Sequence, residues 1–476
     1  KWAVKFDFGG CMDAFRIKGP CNLNGKIGVP GAKNAALPLM AAALLTEEEV
    51  VLQDVPAYAD VKNLIQLLRS LGASVIHEDR KNPLGGIVRI QSNHAADPIA
   101  PYEIVKTMRA SISVLGPLLA ARGCASVSLP GGCAFGARPV DLHLHGLRSL
   151  DAKIELEGGQ IQATAPADGL KGRIIFMGGP NGPTVGGTQN VLCAAVLAKG
   201  RTIIESAACE PEVSDLVRLL RAMGAQITGE GSPRLVIDGV PRLHGCTHRV
   251  MPDRIIAGTD AIAAAITCGQ VELSNYPQDS LLGVEDVLQR IGVRFDFSDD
   301  GHDLMRRTVC ITAERRQHAV EVTTQPWPGF PTDLQAQLLA LLTLADGNSV
   351  VTEKIYSERF NHTAELERMG AVFHRIGPSV VVRGVPELNG APVMASDLRG
   401  SACLVLAGLA AHGETVISRV YHLDRGYHRL EDRYRRLGAD IERFNADASD
   451  PDEPAAAIEI PPKPKRSAAQ KKTTPT

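Results

Sequence analysis

Six copies of one short pattern recur along the chain: Leu68-Arg-Ser-Leu-Gly-Ala73, Leu147-Arg-Ser-Leu-Asp-Ala152, Leu220-Arg-Ala-Met-Gly-Ala225, Leu288-Gln-Arg-Ile-Gly-Val293, Leu366-Glu-Arg-Met-Gly-Ala371 and Tyr434-Arg-Arg-Leu-Gly-Ala439. The fifth position falls at 72, 151, 224, 292, 370 and 438, a mean step of about 73 residues, so the chain reads as six copies of one unit. Each copy parses alike. An Ala/Leu-rich helix is expected over 35–45, 110–122, 189–198, 260–268, 334–344 and 400–412, followed by a short β-branched run such as Val50-Val-Leu52 or Thr415-Val-Ile417. An amphipathic helix then ends at the repeated pattern and a second strand follows. The first helix of each unit is apolar on nearly every face, so it should be wholly buried, whereas the second is charged on one side and should be exposed.

Six buried helices cannot share one core in 476 residues, which predicts two lobes of three units. The expected fold is α/β, a two-lobed inside-out α/β barrel of six repeats. Residues 33–251 form the first lobe, with a lid loop over 129–141. Residues 12–32 and 252–445 form the second, the chain crossing near Gly31-Ala-Lys33 and Arg249-Val-Met-Pro-Asp-Arg254. A single αβ array without a cleft is the alternative. Residues 1–11 read as a leader ahead of a start at Met12, and 446–476, rich in Pro, Ala, Asp and Lys, as a disordered tail.

A net charge of −2 provides no overall pull toward nucleic acid or membrane, and 4% aromatics leave little for stacking on bases, so neither is an expected partner. No run approaches the roughly 18 apolar residues of a membrane span. The ten cysteines contain no Cys-x-x-Cys pair, which speaks against structural zinc and disulfides and favours a reducing, cytoplasmic location.

Charged and polar groups open the apolar helices: Lys33-Asn34, Arg109, Thr188, Thr259-Asp260, Thr332-Asp333 and Asp397-Leu-Arg399. Helix starts present free N–H groups and a positive dipole end. If the starts in the two lobes face one another, Lys33, Arg109, Arg399 and Asp333 gather in one cleft. Arg138, Arg359 and Arg425 are candidates to join them. Such a cluster suits small polyanions, held by arginine forks. Because facing cations repel, the unliganded form is expected to be open. The loop from Ser128 to Leu142 holds three glycines, two prolines, Cys133 and Arg138, the composition of a lid with a thiol beside a cation.

Seven segments, in order, resemble one family: Gly31-Ala-Lys-Asn-Ala-Ala-Leu-Pro38, Lys106-Thr-Met-Arg-Ala-Ser111, Leu129-Pro-Gly-Gly-Cys-Ala-Phe-Gly-Ala-Arg-Pro-Val-Asp141, Met251-Pro-Asp-Arg254, Gly329-Phe-Pro-Thr-Asp-Leu-Gln-Ala-Gln337, Ser396-Asp-Leu-Arg399 and Tyr421-His-Leu-Asp-Arg-Gly-Tyr427. The family is that of the UDP-N-acetylglucosamine 1-carboxyvinyltransferases, enolpyruvyl transferases that open bacterial peptidoglycan synthesis. The resemblance implies an inside-out fold of six repeats and no cofactor or metal. It also implies two small-molecule substrates, phosphoenolpyruvate and UDP-N-acetylglucosamine. Carried over by position, Lys33 contacts phosphoenolpyruvate, and Arg138 and Arg425 hold its phosphate and carboxylate. Asn34, Arg109, Arg138, Pro139, Val140, Asp141, Leu142, Asp333 and Ile355 line the UDP-sugar site or its edge, with Gly182, Pro183, Thr184 and Val185 on its diphosphate side. Asp333 matches the carboxylate that accepts the hydroxyl proton, and Cys133 the lid thiol that donates a proton or traps the enolpyruvyl group.

Two segments depart from the family. Gly182-Pro-Thr-Val-Gly-Gly-Thr188 stands where Lys-Val-Ser-Val-Gly-Ala-Thr is common, losing a lysine, and Asp253-Arg-Ile-Ile-Ala-Gly-Thr259 where Asp-Arg-Ile-Glu-Thr-Gly-Thr is common. Three other readings stay open. One is a 5-enolpyruvylshikimate-3-phosphate synthase, although the Gly-Ser-Lys-Ser of that family is missing at the first helix. Another is a UDP-sugar-binding paralogue without turnover. The third is a cysteine hydrolase on Cys133, for which no histidine-bearing motif stands out beyond His143 and His145, whose spacing is that expected for alternating strand or loop positions.

Overall fold

In the computed structural model, which describes residues 13–79, 82, 84–106, 108–129, 140–180, 182–298, 303–313 and 316–445, the repeated pattern is a helix stop. In all six copies the amide of the sixth residue donates to the carbonyl of the first: Ala73 to Leu68, Ala152 to Leu147, Ala225 to Leu220, Val293 to Leu288, Ala371 to Leu366 and Ala439 to Tyr434, at 2.9–3.3 Å. This closure needs a positive φ at the fifth residue, which is why glycine recurs there. The angle runs from +84° at Gly72 to +104° at Gly224 and Gly292, and Asp151, the copy without glycine, adopts +69°.

Each stop turns the chain into a strand, and six four-stranded sheets share one plan, in which an outer strand runs parallel to its neighbour and two antiparallel pairings follow. The N-terminal strands complete distant sheets. Asp13–Gly19 lies between Gly413–Ser418 and Asp440–Asn445, and Asn24–Gly28 runs parallel to Gln270–Tyr276.

The apolar helices are Lys33–Ala42, Leu115–Arg122, Val185–Ala195, Arg254–Ile266, Gln335–Leu342 and Leu398–Ala410. Arg254–Ile266 and Gln335–Leu342 are buried at every residue. Three of the helices (Arg254–Ile266, Gln335–Leu342 and Leu398–Ala410) pack on one another, while Val185–Ala195 packs on both Lys33–Ala42 and Leu115–Arg122. Close approach requires small residues: a Cβ on Gly116 would lie 2.1 Å from the Asn190 carbonyl oxygen. By contrast, Ala59–Ser70 buries one face and exposes the other, as its amphipathic spacing predicts, whereas Pro211–Ala222 departs from that expectation: nine of its twelve residues are buried and only Arg218, Arg221 and Ala222 are exposed.

Two buried helices start earlier than their apolar runs suggest. Val185–Ala195 is capped by Thr184, whose hydroxyl accepts from the Gly187 amide at 3.2 Å, and Arg254–Ile266 by Asp253, which accepts from Ile255 and Ile256. Thr188, Thr259 and Asp260 therefore lie inside helices and do not open them. Polar side chains that satisfy their hydrogen bonds in the interior read, in a linear sequence, like boundaries. His143 and His145 also change setting, because both lie on the helix Asp141–Ser149, with His143 buried and His145 exposed.

Buried apolar residues form two clusters, one running from Ala32 to Met251 and the other joining Phe15–Val29 to Ile255–Ile441. Between them the two chain crossings lie side by side: Gly31 bridges Pro252, the Ala32 amide donates to the Met251 carbonyl at 2.7 Å, and the Asp253 amide to the Pro30 carbonyl at 2.8 Å. Among the described residues no helix is long and apolar enough to cross a membrane.

Candidate active site

The paired crossings place two helix starts face to face. Asp253 serves both, because one carboxylate oxygen accepts from Ile255 and Ile256 while the other accepts from the Lys33 amide at 3.2 Å. Burial raises the pKa of this carboxyl, against the lowering pull of Arg399 and the amides. Positive helix ends would repel across such a gap, and a shared carboxylate offsets that.

Lys33, 8% exposed, points its ammonium at Asp60 (3.1 Å), and the other Asp60 oxygen accepts from Arg425 Nε at 3.3 Å. One carboxylate thus ties a helix start of the first cluster to the segment Val420–Arg425 of the second. Burial depresses the Lys33 pKa, Asp60 raises it in part, and the neighbouring charges of Arg399 and Arg425 lower it further. Arg425 keeps a side chain 44% exposed, available to an incoming anion.

Next to Arg399 stands Asp333. Its two oxygens accept from Arg359 at 2.8 Å and Arg399 at 2.9 Å, from guanidinium groups only 5% and 6% exposed. Burial alone would raise the Asp333 pKa, but the charges of Arg399 and Arg359 and their hydrogen bonds hold it well below the usual carboxylate range. Arg399 also donates to the Tyr427 hydroxyl at 3.2 Å, which meets Gln337 and Thr259 at 3.1 Å each. These contacts correct the expectation of bare facing cations. Asp60 and Asp333 each sit between two of them, so repulsion does not by itself require an open unliganded form.

A second group gathers in the first cluster. Arg109 opens the short helix Arg109–Val114, and Val140, Asp141 and Leu142 enter the helix Asp141–Ser149. Leu142 lies against Gly179, which pairs with Gly182 in a two-residue ladder leading to Pro183, Thr184 and Val185. His143 joins these elements. It lies 3.1 Å from the Asn190 amide nitrogen, and its pKa falls to about 4 because of burial and then of Arg109, with Asp141 opposing, so it is neutral near pH 7. Gly182 adopts φ +87°, a conformation that a side chain at this position would strain.

Asn34 is exposed beside Lys33, and Ile355 is half-buried, its amide donating to Glu353 at 2.7 Å. Cys133, Arg138 and Pro139, with the rest of the lid over 130–139, the leader and the tail, lie outside the described residues. Sequence reasoning passed over Asp60, which reads there as an ordinary acid in the first turn of an amphipathic helix, and Glu353, which carries no motif.

The family model described as EPSP synthase (3-phosphoshikimate 1-carboxyvinyltransferase) matches residues 17–434. The UDP-N-acetylglucosamine 1-carboxyvinyltransferase of Gluconobacter oxydans is 52% identical over 437 residues, covering 91% of this chain and 100% of that protein. Its counterpart in Cereibacter sphaeroides is 50% identical with the same coverage. Among solved structures, the enolpyruvyl transferase NikO from Streptomyces tendae matches with a TM-score of 0.81 and 25% identity, over 92% of this chain and 100% of that one. EPSP synthase from Acinetobacter baumannii, 19% identical over 91% of this chain and 100% of that one, matches the fold with a TM-score of 0.71.

Proposed function

The chain belongs to the UDP-N-acetylglucosamine 1-carboxyvinyltransferase family of enolpyruvyl transferases, and from that membership and the geometry above we propose that it transfers the enolpyruvyl group of phosphoenolpyruvate to the 3′-hydroxyl of UDP-N-acetylglucosamine. The observation that carries this reading is the meeting, across two apolar clusters, of Lys33, Arg425, Arg399 and Arg359, with Asp60 and Asp333 each shared between two of these cations. Cations that share one carboxylate between two keep charge and donors to offer an incoming polyanion.

The hydroxyl oxygen of the sugar attacks C2 of phosphoenolpyruvate while its proton passes to Asp333, and C3 takes a proton from Cys133. From the resulting tetrahedral adduct the C–O bond to phosphate breaks, C3 gives up a proton, and the enol ether remains on the sugar. Lys33 and Arg425 face the phosphoenolpyruvate, while Arg109, Val140 to Leu142 and the turn at Gly182 to Val185 face the UDP-sugar. Asn34, Pro139 and Ile355 edge that site. A carboxylate clamped by two guanidinium groups is a weak base, so bound substrate anions must draw one fork away before Asp333 takes a proton. Two lobes, 33–251 and 12–32 plus 252–445, built as a six-repeat inside-out barrel, place these groups at their junction. The six sheets of one plan and the two clusters support that description. Cytoplasmic location and a first committed step in peptidoglycan synthesis complete the reading.

Inorganic phosphate should appear from phosphoenolpyruvate only when UDP-N-acetylglucosamine is present; release that ignores the UDP-sugar overturns the substrate assignment, and no release leaves the non-catalytic paralogue. Cys133→Ala should lower turnover by roughly 10²–10⁴-fold, the range for a positioned proton donor, and the epoxide fosfomycin should inactivate the parent but not this variant. Small-angle scattering should also show compaction on adding UDP-sugar, and curves that superimpose would remove substrate-driven closure from the mechanism.

A further inference from the structure

One acid at the site has no role in this mechanism. Glu353 follows the strand Asn348–Thr352, at the carboxyl end of the parallel pair it forms with Glu321–Thr323. It is wholly buried, and four neutral donors surround it. One oxygen accepts from the Thr324 hydroxyl at 2.8 Å and from the Ile355 and Tyr356 amides at 2.7 and 2.9 Å, and the other from the Thr332 hydroxyl at 2.9 Å. The Thr332 oxygen in turn accepts from Arg359 Nη1 at 3.0 Å, the same nitrogen that donates to Asp333 at 2.8 Å.

We propose that Glu353 is a positioning residue for the transfer: by accepting the Thr332 hydroxyl hydrogen it turns the lone pairs of that oxygen toward Arg359 and so fixes one of the two forks on Asp333. A hydroxyl has a single hydrogen. While Glu353 takes it, Thr332 can only accept from the guanidinium. With a glutamine at 353 the amide oxygen satisfies the Thr324 hydroxyl and the two amides, and its NH₂ group faces Thr332. The threonine hydrogen then has no acceptor except in the direction of Arg359, where it meets a cation. The fork shifts, and with it the direction of the Asp333 oxygen that receives the proton.

This inference rests on the enolpyruvyl-transfer reading with Asp333 as base, and the experiment separates the two. Glu353→Gln, Thr332→Val and the double variant are compared with the parent by kcat and KM for both substrates. Misplacement of a reacting group by about 1 Å costs up to roughly 10²-fold, so each single variant should lose about 10–100-fold in kcat with both KM values within about twofold. Because both act through one hydroxyl, the double should fall no more than about twofold below the worse single, and Thr332→Ser should restore the parent rate. Glu321→Gln, an exposed acid in the same sheet, should change nothing. Additive losses in the double, or a parent-like kcat for Glu353→Gln or Thr332→Val, overturn the proposal. If Glu353→Gln does not fold, the contrast between Thr332→Val and Thr332→Ser decides, since both keep the other three donors to Glu353. A parent that releases no phosphate with the UDP-sugar, or an Asp333→Asn variant at the parent rate, defeats the underlying reading instead.

Discussion

Asp333→Asn should lower kcat by roughly 10²–10⁴-fold, the usual share of a positioned general base, while the protein stays folded. Asparagine keeps the shape of the side chain but has no basic oxygen for the hydroxyl proton. It also offers an acceptor to only one of the two guanidinium groups at 2.8 and 2.9 Å, and it turns an NH₂ toward the other. Asp333 itself is 28% exposed, so water can enter and solvate the fork left unpaired. The melting transition should therefore move far less than the rate. Phosphate release measured with saturating substrates decides the matter. A variant within about tenfold of the parent would remove Asp333 from proton transfer and leave it a role in orienting the arginines alone.

The second large effect is on stability. Asp260→Ala should destabilise the folded chain by about 3–5 kcal/mol, the cost of leaving a buried charge without its partner. Arg433 grips Asp260 with both Nε and Nη2 and donates from Nη1 to the Gly28 carbonyl at 2.8 Å, and the two side chains are 15% and 2% exposed. The interaction fastens the helix Leu430–Arg435 and the strand Asn24–Gly28 onto the buried helix Arg254–Ile266. The same argument predicts a rescue. Adding Arg433→Met removes the orphaned charge and fills its volume, so the double variant should recover most of the loss. Urea unfolding of the parent, the single and the double variants reads both effects. A single variant within about 1 kcal/mol of the parent shows that water reaches Arg433 and that the pair is not holding these elements together.

The repeats were legible because their cause is local. A helix stop needs a positive φ at one residue, and glycine supplies it in five of six copies; Asp151 keeps the pattern readable because the residues around it are unchanged. Helices apolar on every face state their own burial, and burial of all six restricts the packing that surrounds them. Lys33, Arg399 and Asp333 could be found for a related reason, since a charge at the rim of an apolar run stands out against it.

Other features depended on groups brought together from far along the chain. Thr188, Thr259 and Asp260 look like helix openings because a polar side chain carries no sign of whether its partner is solvent or Arg433, which lies 173 residues from Asp260. Asp60 is ordinary on its own helix and becomes part of the site only where Arg425, 365 residues away, shares its carboxylate with Lys33. Glu353 reaches the site only through Thr332, 21 residues away, whose hydroxyl lies between it and Arg359. Local backbone preference and hydrophobic periodicity act within a few residues, so the chain alone determined its units, its buried helices and the cations at their rims. Ion pairing depends on distance in space, so only the tertiary structure decided which carboxylate meets which cation, and hence that the cations arrive at the cleft sharing one carboxylate between each two.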